Sequence, residues 1–290
     1  MTPANSPAKV GVSVIGLIAY DHEYLLESLP SYYEYADEIL LGLDKRRRSW
    51  TGNEFSVAEE FFDHLQALDV SRKVRVVEDS FYQEGRTARW CEQFERNYLS
   101  RQVRKGNWLV SLDADEILLN AGEFFDFLGE HEPDERCVMA DAVVLFKELA
   151  DDYLVVGSSG KAFTEPFPVA TGRAENFQMG RHTETNRWQS PLVALHKTFA
   201  RSEDELIQKL RSWAHAEDFA VDSYFKLWQS IDENNFMYVK SLHPLIPSLW
   251  PELIKVPKSI VNSRAIPATA PSRVPFHKRL ARKLLRTFAD

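Results

Sequence analysis

The stretch that decides the fold is WLVSLDADE, residues 108–116. Its first half is an apolar run typical of a buried β-strand, and Asp113, Asp115 and Glu116 follow directly. Open α/β sheets bind ligands at the carboxyl ends of their strands. Two aspartates spaced i, i+2 at such a position can hold a hard divalent cation. The alternative is a polar turn that caps the next helix, and the D-x-D pattern alone does not separate the two, because about one is expected by chance.

Outward from this stretch, short apolar runs alternate with helical patterns, which predicts an α/β fold with a mostly parallel central sheet flanked by helices. Strands are predicted at 10–19, 38–43, 73–77, 108–112 and 138–146. Pro30 is expected to break or kink the helix that follows the first strand. In the helix predicted over 86–103, Trp90, Phe94 and Tyr98 are spaced four apart and are expected to face the core.

The second half of the sequence is less regular. After about residue 150 it becomes rich in Gly, Pro and aromatic residues, until a further strand is predicted at 192–195. Ser202 and Glu205 form a capping box, which predicts a helix there, and Asp222 is expected to cap another. The segment 244–257 is expected to be irregular.

Composition restricts the class of protein. With 290 residues, 44% of them hydrophobic, the chain can bury a sizeable core. It carries 35 basic and 43 acidic side chains, which argues against a nucleic-acid partner. Two cysteines cannot form a disulfide framework, so a reduced, cytoplasmic compartment is expected. The apolar run 10–19 is shorter than the ~20 residues of a membrane span and lacks the features of a signal peptide.

The chain is predicted to contain one main domain, 10–260, after a disordered segment at 1–9. A proline-rich linker, 261–275, is then expected to lead to an amphipathic helix at 276–290. From residue 273 onward there are six basic residues against one acidic residue. Such a helix can bind an anionic membrane surface, and the alternative is that it packs onto the acidic surface of the protein itself.

The motifs, in their order along the chain, resemble glycosyltransferase family 2, which has the GT-A fold. In that family an Arg-Asn pair precedes W-I-L-x-L-D-A-D-E by about a helix length, as Arg96-Asn97 does here. The resemblance covers roughly residues 10–220 and implies a nucleotide-sugar-binding half at 10–120 and an acceptor half at 121–260. It further implies that Asp113 contacts the donor and that Asp113 and Asp115 bind Mn²⁺ or Mg²⁺, with Glu116 supporting them.

The resemblance suggests further site residues. Asp44 stands where a carboxylate of the family meets the nucleobase, although the following Lys45-Arg46-Arg47-Arg48 departs from the family's pattern. Three arginines of one predicted helix are candidates for the diphosphate, since guanidinium groups bind phosphate through forked hydrogen bonds. They are Arg86, Arg89 and Arg96. Arg96 is the one favoured as functional, and the alternative is that these are ordinary surface arginines.

The remaining candidates lie in the second half. His196 follows an apolar strand and is expected to be the third metal ligand. An inverting transfer needs a general base that takes the proton of the acceptor hydroxyl. Glu184 and Asp218 are the candidates, and Glu184 is preferred because its His-x-Glu setting is closer to the family's pattern.

The sequence therefore predicts a metal-dependent glycosyltransferase that moves a sugar from a nucleoside-diphosphate donor, with UDP expected, to a cell-envelope glycan or a lipid-linked acceptor. A location at the inner face of the cytoplasmic membrane would suit such an acceptor. Two alternatives stay open. A sugar-phosphate nucleotidyltransferase would be expected to show a Gly-rich, basic signature near the first strand, which 11–23 lacks. The other is a non-catalytic, membrane-associated scaffold on the same fold.

Overall fold

Four parallel strands form the centre of the fold in a computed structural model that describes residues 10–173, 177–178, 180–183, 186–262 and 268–269. They are β1 (Val12–Ile18), β2 (Glu38–Asp44), β3 (Val74–Asp79) and β4 (Trp108–Ser111), in the order β3-β2-β1-β4. Every residue of β1 is buried, as expected for a strand covered on both faces. The predicted α/β class with a parallel central sheet is confirmed.

Helices α1 (Glu23–Ser28), α2 (Glu59–Leu68) and α3 (Ala88–Ser100) lie between the central strands along the chain. Pro30 ends the first of them as predicted, since Leu29–Ser31 form a 3₁₀ turn. Among the described residues, no helix combines the length and the apolar character that crossing a membrane requires.

The predicted core face of α3 is correct only in part, since Tyr98 packs against the core but Trp90 does not. Trp90 is 36% exposed, and its ring stacks on that of Phe94 at 5.1 Å. The buried side of the helix instead contains Cys91, Glu95, Arg96 and Leu99. The helix therefore turns two charged side chains inward, towards the carboxyl ends of the central strands.

The second half adds strands of mixed direction beyond β4 and a fourth helix, α4 (Ala121–Gly129). These strands are β5 (Glu116–Leu118), β6 (Cys137–Glu148), β7 (Asp152–Ser158), β8 (Lys161–Thr171) and β9 (Arg187–His196). β8 pairs antiparallel with β4, and β6 pairs parallel with β9. The sheet is thus parallel at its centre and mixed in its second half.

The hairpin of β7 and β8 lies in the part of the sequence that was predicted to be irregular. Ser159 and Gly160 form its two-residue turn, with φ of 53° and 73°. Positive φ at both positions is the geometry that matches the twist of a tight hairpin. The segment 244–257 was also expected to lack structure, but it contains β10 (Glu252–Pro257), which pairs with β7.

The C-terminal part is mainly helical. Helix α5 (Glu203–Ser212) begins at the predicted capping box, in which Ser202 Oγ accepts from the Glu205 N–H and the Glu205 carboxylate accepts from the Ser202 N–H. Helix α6 (Val221–Ser230) begins after Ala220, so Asp222 lies in its first turn and is not its cap. A short helix α7 (Lys258–Asn262) and strand β11 (Ala268–Thr269) follow. The predicted segments 1–9 and 276–290, and most of the linker 261–275, lie outside the described residues.

Candidate active site

A cleft opens at the carboxyl ends of β1, β2 and β4. The loop after β2 contributes aromatic walls, Trp50 and Phe55. The floor carries charged groups, namely Asp21, Asp44, Glu92, Glu95, Arg96, Asp113, Asp115 and Lys209.

Arg96 and Asp113 meet at the edge of this cleft. The Arg96 side chain is 2% exposed, and its Nη2 donates to Asp113 Oδ1 across 2.8 Å. Its Nη1 donates to Ser111 Oγ at 3.0 Å and its Nε to Glu92 Oε1 at 3.1 Å. The predicted Arg-Asn and D-x-D motifs are therefore in direct contact.

Glu116, the third carboxylate of the motif, is completely enclosed. Both its oxygens accept from Arg181 at 2.7 Å, and its Oε2 also accepts from the Asp113 N–H at 3.0 Å. Arg181 lies 3.5 Å from the second oxygen of Asp113. Burial raises the pKa of the Asp113 carboxyl, but Arg181 and Arg96 more than offset this and hold it below its ordinary value. Asp113 is therefore ionised, with a cation on each side.

Asp115 is surrounded by positive charge as well. Its Oδ2 accepts from Arg201 Nη2 at 2.5 Å and from Lys209 Nζ at 2.6 Å, and His196 Nε2 lies 3.5 Å from its Oδ1. Burial raises the pKa of Asp115, but Lys209, His196 and Arg201 lower it well below its ordinary value. For His196, burial has the opposite effect and lowers the pKa. The negative charge of Asp115 more than offsets this, so the pKa of the imidazole is raised.

This arrangement does not fit the predicted metal site. Asp115 is 2% exposed and its carboxylate is already held by two cations, while His196 lies beside it as an ion-pair partner with a raised pKa. A metal ligand must instead present a free lone pair. Within the part of the chain that the structure describes, no three or more His, Cys, Asp or Glu side chains are grouped to hold a metal ion. The ligand set Asp113, Asp115 and His196 is therefore not formed.

Asp44 lines the cleft, but its carboxylate holds the protein's own backbone. Oδ1 accepts from the N–H groups of Arg46 and Arg48 at 2.8 and 3.2 Å. Oδ2 accepts from those of Phe81 and Tyr82 at 2.8 and 3.0 Å. Asp44 thus fixes the two loops that follow β2 and β3, and does not offer the free carboxylate that was predicted to meet a nucleobase.

Of the other predicted arginines, Arg86 is exposed and lies over the Trp90 ring, with 4.9 Å between its guanidinium carbon and the ring centroid. Arg89 Nη2 donates to Asp218 and lies 3.2 Å from His215 Nδ1. Arg96 is therefore the arginine of the three that contacts the D-x-D motif.

A second cleft adjoins the first. Arg96, Asp113, His196 and Trp213 line both clefts, so the motif lies on their shared edge. The second cleft also contains Glu165, Arg181, His182 and His243. Two adjoining clefts with a charged edge between them can hold two substrates with their reacting atoms close together.

Of the two predicted general bases, Asp218 is engaged by other side chains and Glu184 is not described by the structure. Asp218 is engaged by Arg89 and by His215 Nδ1, the latter at 2.7 Å. Glu165, which the sequence analysis missed, accepts from Trp250 Nε1 at 2.8 Å inside the second cleft, and burial raises the pKa of its carboxyl.

The sequence analysis also missed Arg181, Arg201 and Lys209, which neutralise the D-x-D motif. Arg181 and the motif are 65 residues from each other along the chain, and no local pattern connects them. A signal did exist for the other two. The capping box at Ser202 fixes where α5 begins, with Arg201 just before it and Lys209 two turns inside.

No family model matches the chain, and no curated protein matches it. Among solved structures, the chain is similar to one described as GalNAc-T7 with UDP, GalNAc and Mn²⁺, at 12% identity and a TM-score of 0.39 over 78% of this chain. The matched region spans 52% of that protein's chain. It is also similar to 4-diphosphocytidyl-2C-methyl-D-erythritol synthase, at 12% identity and a TM-score of 0.34, over 64% of this chain and 90% of that one.

Proposed function

We propose that this protein is a glycosyltransferase that moves a sugar from a nucleoside-diphosphate donor to a hydroxyl acceptor. The observation that carries the proposal is the position of Asp113 and Arg96, which line both clefts at the carboxyl end of β4. A transferase needs two substrates in adjoining sites, and a ligand at the carboxyl ends of parallel strands is the expected arrangement in open α/β sheets.

In this proposal the nucleotide occupies the first cleft. Trp50 and Phe55 offer aromatic faces for a base, and Trp50 is held in place because its Nε1 donates to Glu95 at 2.7 Å. The diphosphate then lies towards the charged floor, where Arg96 and Lys209 line the cleft. Uracil is the base we propose first, with UDP as the nucleoside diphosphate, as the sequence resemblance implies.

The acceptor occupies the second cleft, and we propose Glu165 as its general base. Among the described residues Glu165 takes part in no ion pair, whereas Asp113 and Glu116 in the same cleft are paired with arginines. A carboxylate whose pKa is raised by burial accepts a proton more readily than one held ionised by arginines. An inverting transfer, with direct attack of the acceptor hydroxyl on the anomeric carbon, suits such a base.

The test is turnover of candidate donors by the full chain. Purified protein is incubated with UDP-, GDP- and dTDP-sugars, with simple sugars and short glycans as acceptors, and release of the nucleoside diphosphate is measured. We expect donors with one of the three bases to release the nucleoside diphosphate faster than they do without protein. Asp113→Asn should abolish this release. Release of pyrophosphate from a nucleoside triphosphate and a sugar phosphate would instead show a nucleotidyltransferase. Absence of turnover and of binding with every nucleotide would favour the scaffold.

We further propose that segment 276–290 attaches the protein to the inner face of the cytoplasmic membrane, where cell-envelope or lipid-linked acceptors are available. The support is its sequence alone, in which Leu280, Leu284 and Phe288 are spaced four apart among basic residues. Each Lys or Arg near an anionic surface contributes about 1 kcal/mol. Vesicles containing anionic lipid should retain the full chain in a flotation assay and should not retain the chain lacking 272–290. Retention of the shortened chain would contradict this.

A further inference from the structure

The cations around Asp115 occupy the position at which a D-x-D motif would hold a metal ion. Lys209 Nζ and Arg201 Nη2 both donate to Asp115 Oδ2, and the lysine and arginine side chains are 9% and 1% exposed. Arg201 also pairs with Asp21 at 3.2 Å. Of these two cations, Lys209 lines the first cleft and Arg201 does not.

From this arrangement we infer that Lys209 is a diphosphate-binding residue, and that a fixed ammonium group replaces a divalent metal in this protein. The inference rests on the proposed function, since it names how the donor's diphosphate is held. An ammonium group is a common partner of phosphate oxygens, and it acts as a compact point charge with three donors. Its hydrogen bond to Asp115 uses one of these donors, and Lys209 lines the first cleft.

The structure holds Lys209 firmly enough for this role. Helix α5 is anchored at its start by the capping box, and Lys209 lies in its last turn. Asp115 is held in turn by Arg201, which does not line the cleft. Asp115 is therefore a positioning residue that orients Lys209. Preorganised charge of this kind stabilises a leaving group without a cost of reorganisation during the reaction.

The charge balance of the motif supports the same conclusion. Asp113, Asp115 and Glu116 are paired with four cations, which are Arg96, Arg181, Arg201 and Lys209. A divalent ion binding to Asp115 would have to displace buried ion pairs and leave their cations without partners. Breaking a buried pair in this way is strongly destabilising, because it leaves an uncompensated charge inside the protein.

The chemical step is balanced without a metal. The oxygen of the acceptor hydroxyl forms a bond to the anomeric carbon, and its proton goes to Glu165. The bond between the anomeric carbon and the phosphate oxygen breaks, and its electron pair stays on that oxygen. The additional negative charge on the departing nucleoside diphosphate then lies beside Lys209 and Arg96, which both line this cleft.

The test is calorimetric titration of the full chain with UDP, GDP and dTDP and with the matching nucleosides, in EDTA and again in Mn²⁺. We expect one diphosphate to bind with affinities that agree within about threefold in the two buffers. Lys209→Met should lower the affinity for that diphosphate at least tenfold and leave the affinity for its nucleoside unchanged. If Lys209 had only a structural role, its replacement would change the affinities for the diphosphate and for the nucleoside equally.

Three outcomes would overturn the inference. Binding that requires Mn²⁺ would do so and leave the proposed function standing. Equal losses for diphosphate and nucleoside, or no loss of either, would also remove Lys209 from the phosphate site. Absence of nucleotide binding in both buffers would contradict the proposed function itself. If Lys209→Met does not fold, the double variant with Asp115→Asn and Lys209→Met, which removes both charges together, is titrated instead. The comparison of EDTA with Mn²⁺ uses the unaltered chain and needs no variant.

Discussion

Arg96 on helix α3 donates to Asp113 after strand β4 across 2.8 Å, and this contact joins the two motifs on which the account of the site rests. The same guanidinium reaches Ser111 and Glu92. It therefore holds the helix against the carboxyl end of the strand while lining both clefts.

Replacing Arg96 with Met should destabilise the protein, because Asp113 and Glu92 would lose a buried cation. Breaking a buried ion pair by removing one partner costs about 3–5 kcal/mol. Arg86→Met is the matched control, since Arg86 is exposed over the Trp90 ring and such a contact is worth about 1 kcal/mol or less. Urea denaturation of both variants checks this, and similar losses in the two would contradict the structural role of Arg96.

Glu95 should make the free energy of unfolding fall as the pH rises. Burial raises the pKa of its carboxyl from 4.5 to about 7. Between these values the folded protein holds a proton that the unfolded chain has lost, so the free energy of unfolding falls as pH rises, by about 1.4 kcal/mol per unit. Glu95→Gln removes this contribution, and the variant should gain stability relative to the unaltered protein between pH 5 and pH 8.

Denaturation in urea at these two pH values measures the effect of Glu95. Glu59→Gln, at an exposed position in the first turn of α2, is the control and should follow the unaltered protein at both. If Glu95→Gln showed the same change in free energy between pH 5 and pH 8 as the unaltered protein, the raised pKa would be excluded.

Asp44→Asn should loosen the cleft wall. The carboxylate accepts from four backbone N–H groups, and an amide offers one acceptor oxygen and turns two N–H donors towards the rest. Leaving buried donors without an acceptor costs about 1–3 kcal/mol. Hydrogen exchange should quicken at Arg46, Arg48, Phe81 and Tyr82. Unchanged protection at these amides would mean that Asp44 does not fix the two loops.

Glu165→Gln and Asp218→Asn separate the two candidates for the general base that lie within the described residues. Removing a general base lowers the rate by about 10²–10⁴-fold. We expect a loss in that range for Glu165→Gln and less than about tenfold for Asp218→Asn, because Asp218 is engaged by Arg89 and His215. Asp222→Asn, on the exposed start of α6, is the control. Rates are compared with the donor that supports turnover, and the reverse order would assign the base to Asp218.

The pattern of apolar runs predicted β1, β2 and β4 well, because these strands are almost entirely buried and largely apolar. It was less successful for α3, where Trp90 is exposed and Glu95 and Arg96 face inward. Helical periodicity identifies a face, but whether that face is the buried one depends on what lies opposite. Here the opposite groups are the strand-end carboxylates, which favour a buried arginine.

Arg96 and Asp113 were both candidates for the site, but their contact was not predicted from the sequence. The cations that hold Asp115 and Glu116 come from residues 181, 201 and 209, and a sequence does not show which distant lysine or arginine will reach a given carboxylate. A D-x-D pattern therefore predicts a charged strand end, and the identity of the positive charge beside it has to be read from the structure.

The central claim is that a nucleoside-diphosphate sugar binds in the first cleft, between the loop after β2 and the D-x-D motif. Hydrogen–deuterium exchange of the full chain, with and without the donor that supports turnover, tests it most directly. We predict slower exchange in segments 46–55 and 113–118 and no change in helix α4, which lines neither cleft. Slower exchange confined to α4, with both cleft segments unaffected, would contradict this binding site.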